Sequence, residues 1–335
     1  MGLGLNGGGL ATAQFFARYG AEVTVTDLKT SEELRPSIEK LSAFKNIRFV
    51  LGEHRIEDFR EADLVIKNPG VKLEGNVFLE AAKQIESDVS VFLSLSKAPI
   101  LAVTGSKGKS STVSALYYGF KKLGYNAFLG GNITVSPLSF FEETSCDTPV
   151  VLELSSWQLG DLAHCPQLKP KIAIITHIMP DHQNWYGSME RYVADKKIIY
   201  RNQDKTDYTV CNYDDGWGKT FAQETAGQVF WYSAHPLPTH LVGAWIAPDG
   251  SAWMRLKPGD DRLLLPPRIA VPGAALKQNV MAASLALALY GVNPEKIPAV
   301  MQNYGGIPHR LEFFYETDQF KFYNDSAATI PEAAA

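Results

Sequence analysis

The chain has 335 residues, 32 Lys and Arg against 36 Asp and Glu, a formal net charge of −4 with histidine neutral, and 45% hydrophobic residues. That length suffices for two or three domains with large cores, and the slight acidity argues against coating nucleic acid or an anionic membrane. No apolar run is long enough to span a bilayer and no basic-then-apolar leader opens the sequence, while the scattered Cys146, Cys165 and Cys211 fit reduced thiols in a cytoplasm.

The sequence opens MGLGLNGGG, where Gly2, Gly4 and Gly7 satisfy G-x-G-x-x-G. A helical pattern over Leu10–Tyr19 and a strand over Ala21–Thr26 lead to Asp27. This is a dinucleotide-binding fingerprint in outline, lacking only the strand that should precede the glycines. The plainer reading is a glycine turn that lets helix and strand pack closely. A strand at 47–50, a helix at 56–62 and a strand at 64–66 follow, ending at Asn68-Pro69-Gly70. Such a turn lies at the C-terminal edge of a parallel sheet, where ligands sit. A first domain of some ninety residues is expected, with its boundary near 91–98.

The apolar run Ile100–Val103 enters the loop Thr104-Gly105-Ser106-Lys107-Gly108, and Lys109-Ser110-Ser111 opens a helix that runs to Leu123. A buried strand, a glycine loop and Lys-Ser at a helix start form the layout of a phosphate-binding loop, although G-x-x-x-x-G-K-[ST] requires glycine where Val103 stands. Phe128–Ile133 reads as a strand and loop containing Gly130-Gly131-Asn132. The strand 149–152 delivers Glu153, placed where a Mg²⁺-binding acid is needed. The strand 171–176 leads to Met179-Pro180-Asp181-His182, and a helix is expected from Ser188 to Asn202. On it Lys196 falls beside the apolar stripe of Tyr192, Val193, Ile199 and Tyr200. It is either a snorkelling side chain or a lysine held in a site that favours its neutral, reactive form. Strands at 209–211 and 229–232, an antiparallel hairpin over 244–256, helices at 279–290 and 294–304, and a strand at 320–323 complete an α/β pattern.

In this order GLGLNG at 2–7, TGSKGKSS at 104–111, GGN at 130–132, ELSSWQL at 153–159, MPDH at 179–182, the helix carrying Lys196, PHRLE at 308–312 and NDSAAT at 324–329 resemble the Mur ligases over essentially the whole chain. The resemblance is nearest to the D-glutamate-adding branch. The family's phosphate loop begins Thr-Gly, which accommodates Val103. The resemblance implies a Rossmann-like UDP-sugar domain at 1–92 and a central P-loop ATPase domain at 93–304, with a parallel sheet and a small antiparallel patch. It also implies the beginning of a C-terminal Rossmann-like domain at 305–335, the chain being cut short at both ends.

The implied activity is a cytoplasmic, ADP-forming, monomeric ligase joining D-glutamate to UDP-N-acetylmuramoyl-L-alanine through an acyl phosphate, for peptidoglycan. It takes ATP and two Mg²⁺ ions, and has no nucleic-acid or membrane partner. By the same resemblance Gly105, Ser106, Lys107, Gly108, Lys109, Ser110 and Ser111 hold the ATP phosphates, with Asn279, Arg310 and Asp325 at base, phosphate and ribose. Ser110 and Glu153 take one Mg²⁺, and His182 takes a second, bridged by a carbamylated Lys196. Lys109, Glu153, His182 and Lys196 form the catalytic set. Asn132, Ser155, Gln158 and Thr329 contact substrate, and Leu5, Asn6, Asp27 and Asn68 frame the uridine.

Two departures stand out: Ala275-Leu276 replaces the family's His-Asn, and Ala327 replaces a lysine. With most of a third domain missing, the chain is expected to bind UDP-sugar without turnover. Another Mur-type ligase or a folylpolyglutamate synthase is the near alternative. An NAD-dependent dehydrogenase, resting on GLGLNG and Asp27, leaves the phosphate loop, Glu153 and Lys196 unexplained. A non-catalytic nucleotide-binding module is the third.

Overall fold

The structure is a computed structural model that describes residues 1–326. In the N-terminal part, β1 (Val23–Asp27) pairs in parallel with β2 (Ile47–Leu51), and β3 (Val65–Ile66) pairs in parallel with β4 (Ile85–Glu86). These remain separate two-stranded sheets. Met1 and Gly2 lie between them, bonded to Ile66 and Asn68 on one side and to Thr26 on the other. The helix after the glycines, Gly8–Arg18, starts slightly earlier than its apolar pattern suggests, because Gly7 takes the left-handed backbone (φ 90°) that ends the loop. Gly9 packs so closely on the loop that an added Cβ would lie 2.5 Å from the Gly2 and Leu3 carbonyl oxygens.

Residues 88–95, in and before the expected boundary stretch, form a helix. Its start is fixed by a reciprocal cap in which the Ser87 and Ser90 side chains each accept the other's backbone N–H. Val89, Phe92 and Leu93 seat it against the central sheet.

That sheet has nine strands: β5 (Ile100–Thr104), β6 (Phe128–Gly131), β7 (Val150–Glu153), β8 (Ile172–Ile175), β9 (Tyr208–Asn212), β10 (Gln228–Ser233), β11 (Gly243–Ile246), β12 (Ala252–Arg255) and β13 (Asp261–Leu265). Their order is β13-β12-β11-β10-β9-β8-β5-β7-β6. The pairs from β6 to β11 are parallel, and β12 and β13 are antiparallel additions. The expected antiparallel patch therefore exists and is one strand wider than its hairpin. β13 was not legible because Asp261 and Arg262 interrupt its apolar pattern at the sheet edge.

Period-two alternation sends Leu101, Val103, Val151, Ile172 and Ile174 to one face and Ile100, Ala102, Val150, Leu152, Ala173 and Ile175 to the other. Helices Lys109–Lys122 and Ala274–Tyr290 cover the first face. The second helix begins earlier than expected, so Asn279 lies in its second turn. The expected helix 188–202 is α-helical over Met189–Lys197 and continues as one 3₁₀ turn. The last described elements, β14 (Glu312–Glu316) and β15 (Lys321–Asn324), form an antiparallel hairpin. The sequence pattern indicates only the second of these strands, at 320–323.

Candidate functional site

The chain leaves β5 for β6 and β7 on one side, then crosses to β8 on the other. Parallel sheets open a crevice at such a switch point, beyond the carboxyl ends of the strands. The 104–111 loop, Glu153 and Thr176 all emerge there. Gly105 has no room for a side chain: a Cβ would sit 1.8 Å from Thr176 Oγ1. The single Thr176 O–H is in turn shared between the carbonyls of Lys107 (2.7 Å) and Thr104 (3.1 Å) and so holds the loop's curve. Gly108 is left-handed (φ 90°), and Asn279 Oδ1 lies 2.6 Å from where its Cβ would be. The helix bearing Asn279 is thereby pressed against the loop.

Lys109 Nζ donates to the carbonyls of Gly105 (3.0 Å) and Ser106 (3.1 Å). Lys196 Nζ donates to that same Gly105 carbonyl at 2.8 Å. Lys196 is 2% exposed, with its ammonium 4.5 Å from the Tyr192 ring centre, so its amine does not snorkel to solvent. Burial, and then the neighbouring Lys109 charge, hold the Lys196 amine well below the usual lysine range. Burial lowers Lys109 too, against the pull of Glu153 and Asp181.

Glu153 is buried at the end of β7; one carboxylate oxygen accepts from Asn132 Nδ2 at 2.9 Å, and the other is buried without a partner. His182 is left-handed (φ 50°), and its ring packs on Trp157, with 4.8 Å between centres. The Tyr192 ring, which the Lys196 amine approaches, has its centre 6.3 Å from that of His182. Among the described residues no three His, Cys, Asp or Glu side chains group closely enough to hold a metal. The expected ligand set includes Ser110 and Lys196, which lie outside those residue types.

Ser155 and Gln158 are bonded to each other as the reciprocal cap of helix Ser156–Asp161, so their placement beside Glu153 has a structural cause as well. Arg310 lies close enough to Lys109 to help lower its affinity for a proton. Asp325 accepts from the Leu311 N–H at 3.0 Å. Thr329 and Ala327 lie outside the described residues.

At the edge of the N-terminal sheets, Asp27 receives the N–H groups of Gly4 and Lys29, both at 2.9 Å. Asn68 receives that of Gly70 at 3.1 Å, while Leu5 and Asn6 are exposed. Asp27 ends β1 and Asn68 follows β3, so the two belong to separate sheets. Lys67, next to Asn68, reaches across to Asp161 at 2.5 Å, and both side chains are largely buried.

Sequence reading did not single out Thr176, Tyr192 or Asp215. Tyr192 OH lies 3.0 Å from Ser106 Oγ, which also donates to the Met179 carbonyl. Asp215 accepts the Ile178 N–H at 2.8 Å. The one available signal was Tyr192 four residues before Lys196, on the same helix face.

Residues 1–90 match the model of the Mur ligase MurD-like N-terminal domain, and 103–287 match that of the Mur ligase middle domain. The chain belongs to the Mur ligase family. The UDP-N-acetylmuramoylalanine–D-glutamate ligase of Treponema pallidum is 46% identical, over 99% of this chain and 76% of its own length. That of Borreliella burgdorferi is 39% identical, over 99% and 71%. Among solved structures, UDP-N-acetylmuramate-alanine ligase from Thermotoga maritima superposes with a TM-score of 0.60 at 20% identity, over 99% of this chain and 74% of that one. MurF ligase from the same organism, in complex with ADP, gives 0.58 at 16%, over 95% and 71%. At such identities the likeness is one of fold, and this Mur ligase shares it.

Proposed function

We propose that this Mur ligase is an ATP-dependent, ADP-forming amide ligase that joins D-glutamate to UDP-N-acetylmuramoyl-L-alanine in the cytoplasm. Its parts would be a UDP-sugar domain at 1–92, a P-loop ATPase domain at 93–304 and the opening of a C-terminal domain at 305–335. The observation that carries the reading is the meeting of Lys109, Lys196 and a half-unpartnered Glu153 around the Gly105 loop. The printed activity of the relatives supports the choice of D-glutamate, and the ADP complex of a structural neighbour supports the nucleotide.

In this reading the loop N–H groups and Lys109 bind the ATP phosphates, and Lys109 neutralises charge at the β/γ position. The L-alanine carboxylate attacks the γ-phosphorus and ADP leaves. The D-glutamate amine then attacks the acyl carbon, phosphate leaves, and the nitrogen loses a proton. The chain's part is positioning and electrostatics. Leu5, Asn6, Asp27 and Asn68 hold the uridine end, Asn132, Ser155 and Gln158 the muramoyl end, and Asn279, Arg310 and Asp325 the nucleotide.

The donor set suits Mg²⁺. A buried carboxylate oxygen without a partner is costly until a cation reaches it, and a carbamylated Lys196 exchanges a buried amine for the hard oxygen donors Mg²⁺ prefers. Ser110, Glu153, His182 and Lys196 would hold the metal, which supplies neutralisation of the transferring phosphoryl oxygens.

ATP-dependent phosphate release in the presence of UDP-N-acetylmuramoyl-L-alanine tests the assignment, with D-Glu, L-Glu, L-Ala and diaminopimelate compared. Release stimulated by any of the last three, and not by D-Glu, refutes it.

A further inference from the structure

One ammonium group joins the N-terminal sheets to the central part of the molecule. Lys67 Nζ donates to Asp161 Oδ2 at 2.5 Å and to the Val71 carbonyl at 3.1 Å. Its side chain is 4% exposed, and that of Asp161 15%. The Val71 bond braces the turn that begins at Asn68. There the Val71 N–H donates to the Asn68 carbonyl at 2.9 Å, and the Gly70 N–H donates to the Asn68 side chain at 3.1 Å. The Asp161 bond ties that turn to the last residue of helix Ser156–Asp161. Two further contacts cross between the same parts: Lys72 Nζ lies 5.3 Å from the Trp185 ring centre, and Glu86 Oε2 lies 3.3 Å from His164 Nε2.

Helix Ser156–Asp161 is six residues long and is held at both ends. Its first turn carries the reciprocal Ser155–Gln158 cap, two residues after Glu153. Its last turn packs on helix Met189–Lys197: a Cβ at Gly160 would lie 2.9 Å from Asp195 Oδ2. Asp195 precedes Lys196, and its carboxylate accepts from Tyr186 OH at 2.8 Å. Gly160 therefore lets the short helix ride close to the one that delivers Lys196 to the Gly105 carbonyl. Leu159 and Leu162 are fully buried beneath it. A close-packed element of this kind moves as a unit and transmits displacement from one end to the other.

A buried ion pair is a poor source of stability, since apolar residues of similar volume often do as well or better. Burial pushes the Asp161 carboxyl upward against the pull of Lys67. What the pair supplies is a fixed distance and direction. The apolar contact between the same two parts, Phe15 on Phe141 with 5.6 Å between ring centres, demands neither. We propose that Lys67 and Asp161 are positioning residues that fix the turn at Asn68 relative to Ser155, Gln158 and Lys196. A substrate gripped at its uridine end then presents its other end at the Gly105 loop. The inference rests on the ligase reading. A ligand anchored at two places gains from the second anchor only when the span between the anchors matches its own length. Loosening the pair leaves each anchor intact and removes the gain from holding both.

The test compares UDP with UDP-N-acetylmuramoyl-L-alanine by calorimetry, on wild type and on the double variant Lys67→Met with Asp161→Leu, whose apolar pair keeps the contact packed. Wild type should bind the longer ligand more tightly than UDP. In the double variant UDP affinity should stay within about twofold, while the advantage of the longer ligand falls by about fivefold or more. A pair that serves stability alone predicts an unchanged advantage once packing is restored, and that result would overturn the proposal. A second measurement needs no variant. UDP alone, placed by the ligase reading on Leu5, Asn6, Asp27 and Asn68, should slow amide hydrogen exchange at Leu159 and Leu162 in wild type by about threefold or more. Unchanged exchange there would overturn the proposal, and this measurement decides if the double variant does not fold. Binding of neither ligand by wild type would overturn the ligase reading, and this inference with it.

Discussion

Lys109 and Lys196 donate to one and the same carbonyl oxygen, that of Gly105, from 3.0 and 2.8 Å. One acceptor does not comfortably serve two buried ammonium groups. The cost falls on Lys196, the more deeply buried of the two, whose amine is held well below its usual range first by burial and then by Lys109. A neutral amine is the form that adds carbon dioxide, forming an N–C bond and releasing a proton. In ¹³C-bicarbonate, wild type is expected to show a carbamate carbon resonance that Lys196→Met lacks. An undiminished resonance in the variant would place the carbamate elsewhere.

Glu153 leaves one buried oxygen unbonded. Glu153→Gln keeps the shape, replaces that oxygen or its partner by an N–H₂ group, and removes a charge. Stability should change by no more than about 1 kcal/mol, while Mg²⁺-dependent ATP binding by calorimetry should weaken at least tenfold. Equal ATP affinity with and without Mg²⁺ in both proteins would remove Glu153 from the metal set.

Gly105→Ala forces a methyl group into Thr176 Oγ1. A loss of about 1–3 kcal/mol in chemical denaturation is expected, as for overpacking elsewhere. Thr176→Ala removes the nearest atom, so the double variant should lose less than the two single losses added together. Additive losses would mean that the loop had moved away from Thr176.

Lys67 and Asp161 form a largely buried ion pair between the segment that follows β3 and the helix capped by Ser155. Lys67→Met leaves Asp161 without its partner and should cost about 3–5 kcal/mol. Lys67→Met with Asp161→Leu should recover most of that loss. A double variant as unstable as the single would show that packing, and not the charge, holds this contact.

Much of the molecule was legible without coordinates. The apolar runs at 100–103, 150–152 and 172–175 are hydrophobic on both faces, which only a parallel sheet covered on both sides accommodates. Each ends in a polar residue or glycine, so the loop, Glu153 and the segment leading to His182 could be placed at strand ends. The cap at Ser87 was hidden because Val89–Leu93 is apolar nearly all round, and helix and strand look alike in such a run. β13 and β14 were hidden because edge strands carry charges that break the alternation.

Residue order by itself determined the glycine turns, the strand ends and the spacing of Lys109, Glu153, His182 and Lys196, since these depend on local backbone preference and hydrophobic period. Tertiary structure alone decided that Lys196 crosses to the Gly105 carbonyl, that Thr176 closes the space beside it, and that Met1 stands between two unjoined sheets. Those relations pair residues 91, 71 and 65 positions apart in sequence. No local pattern encodes such distances; they follow from which strands become neighbours when the core closes.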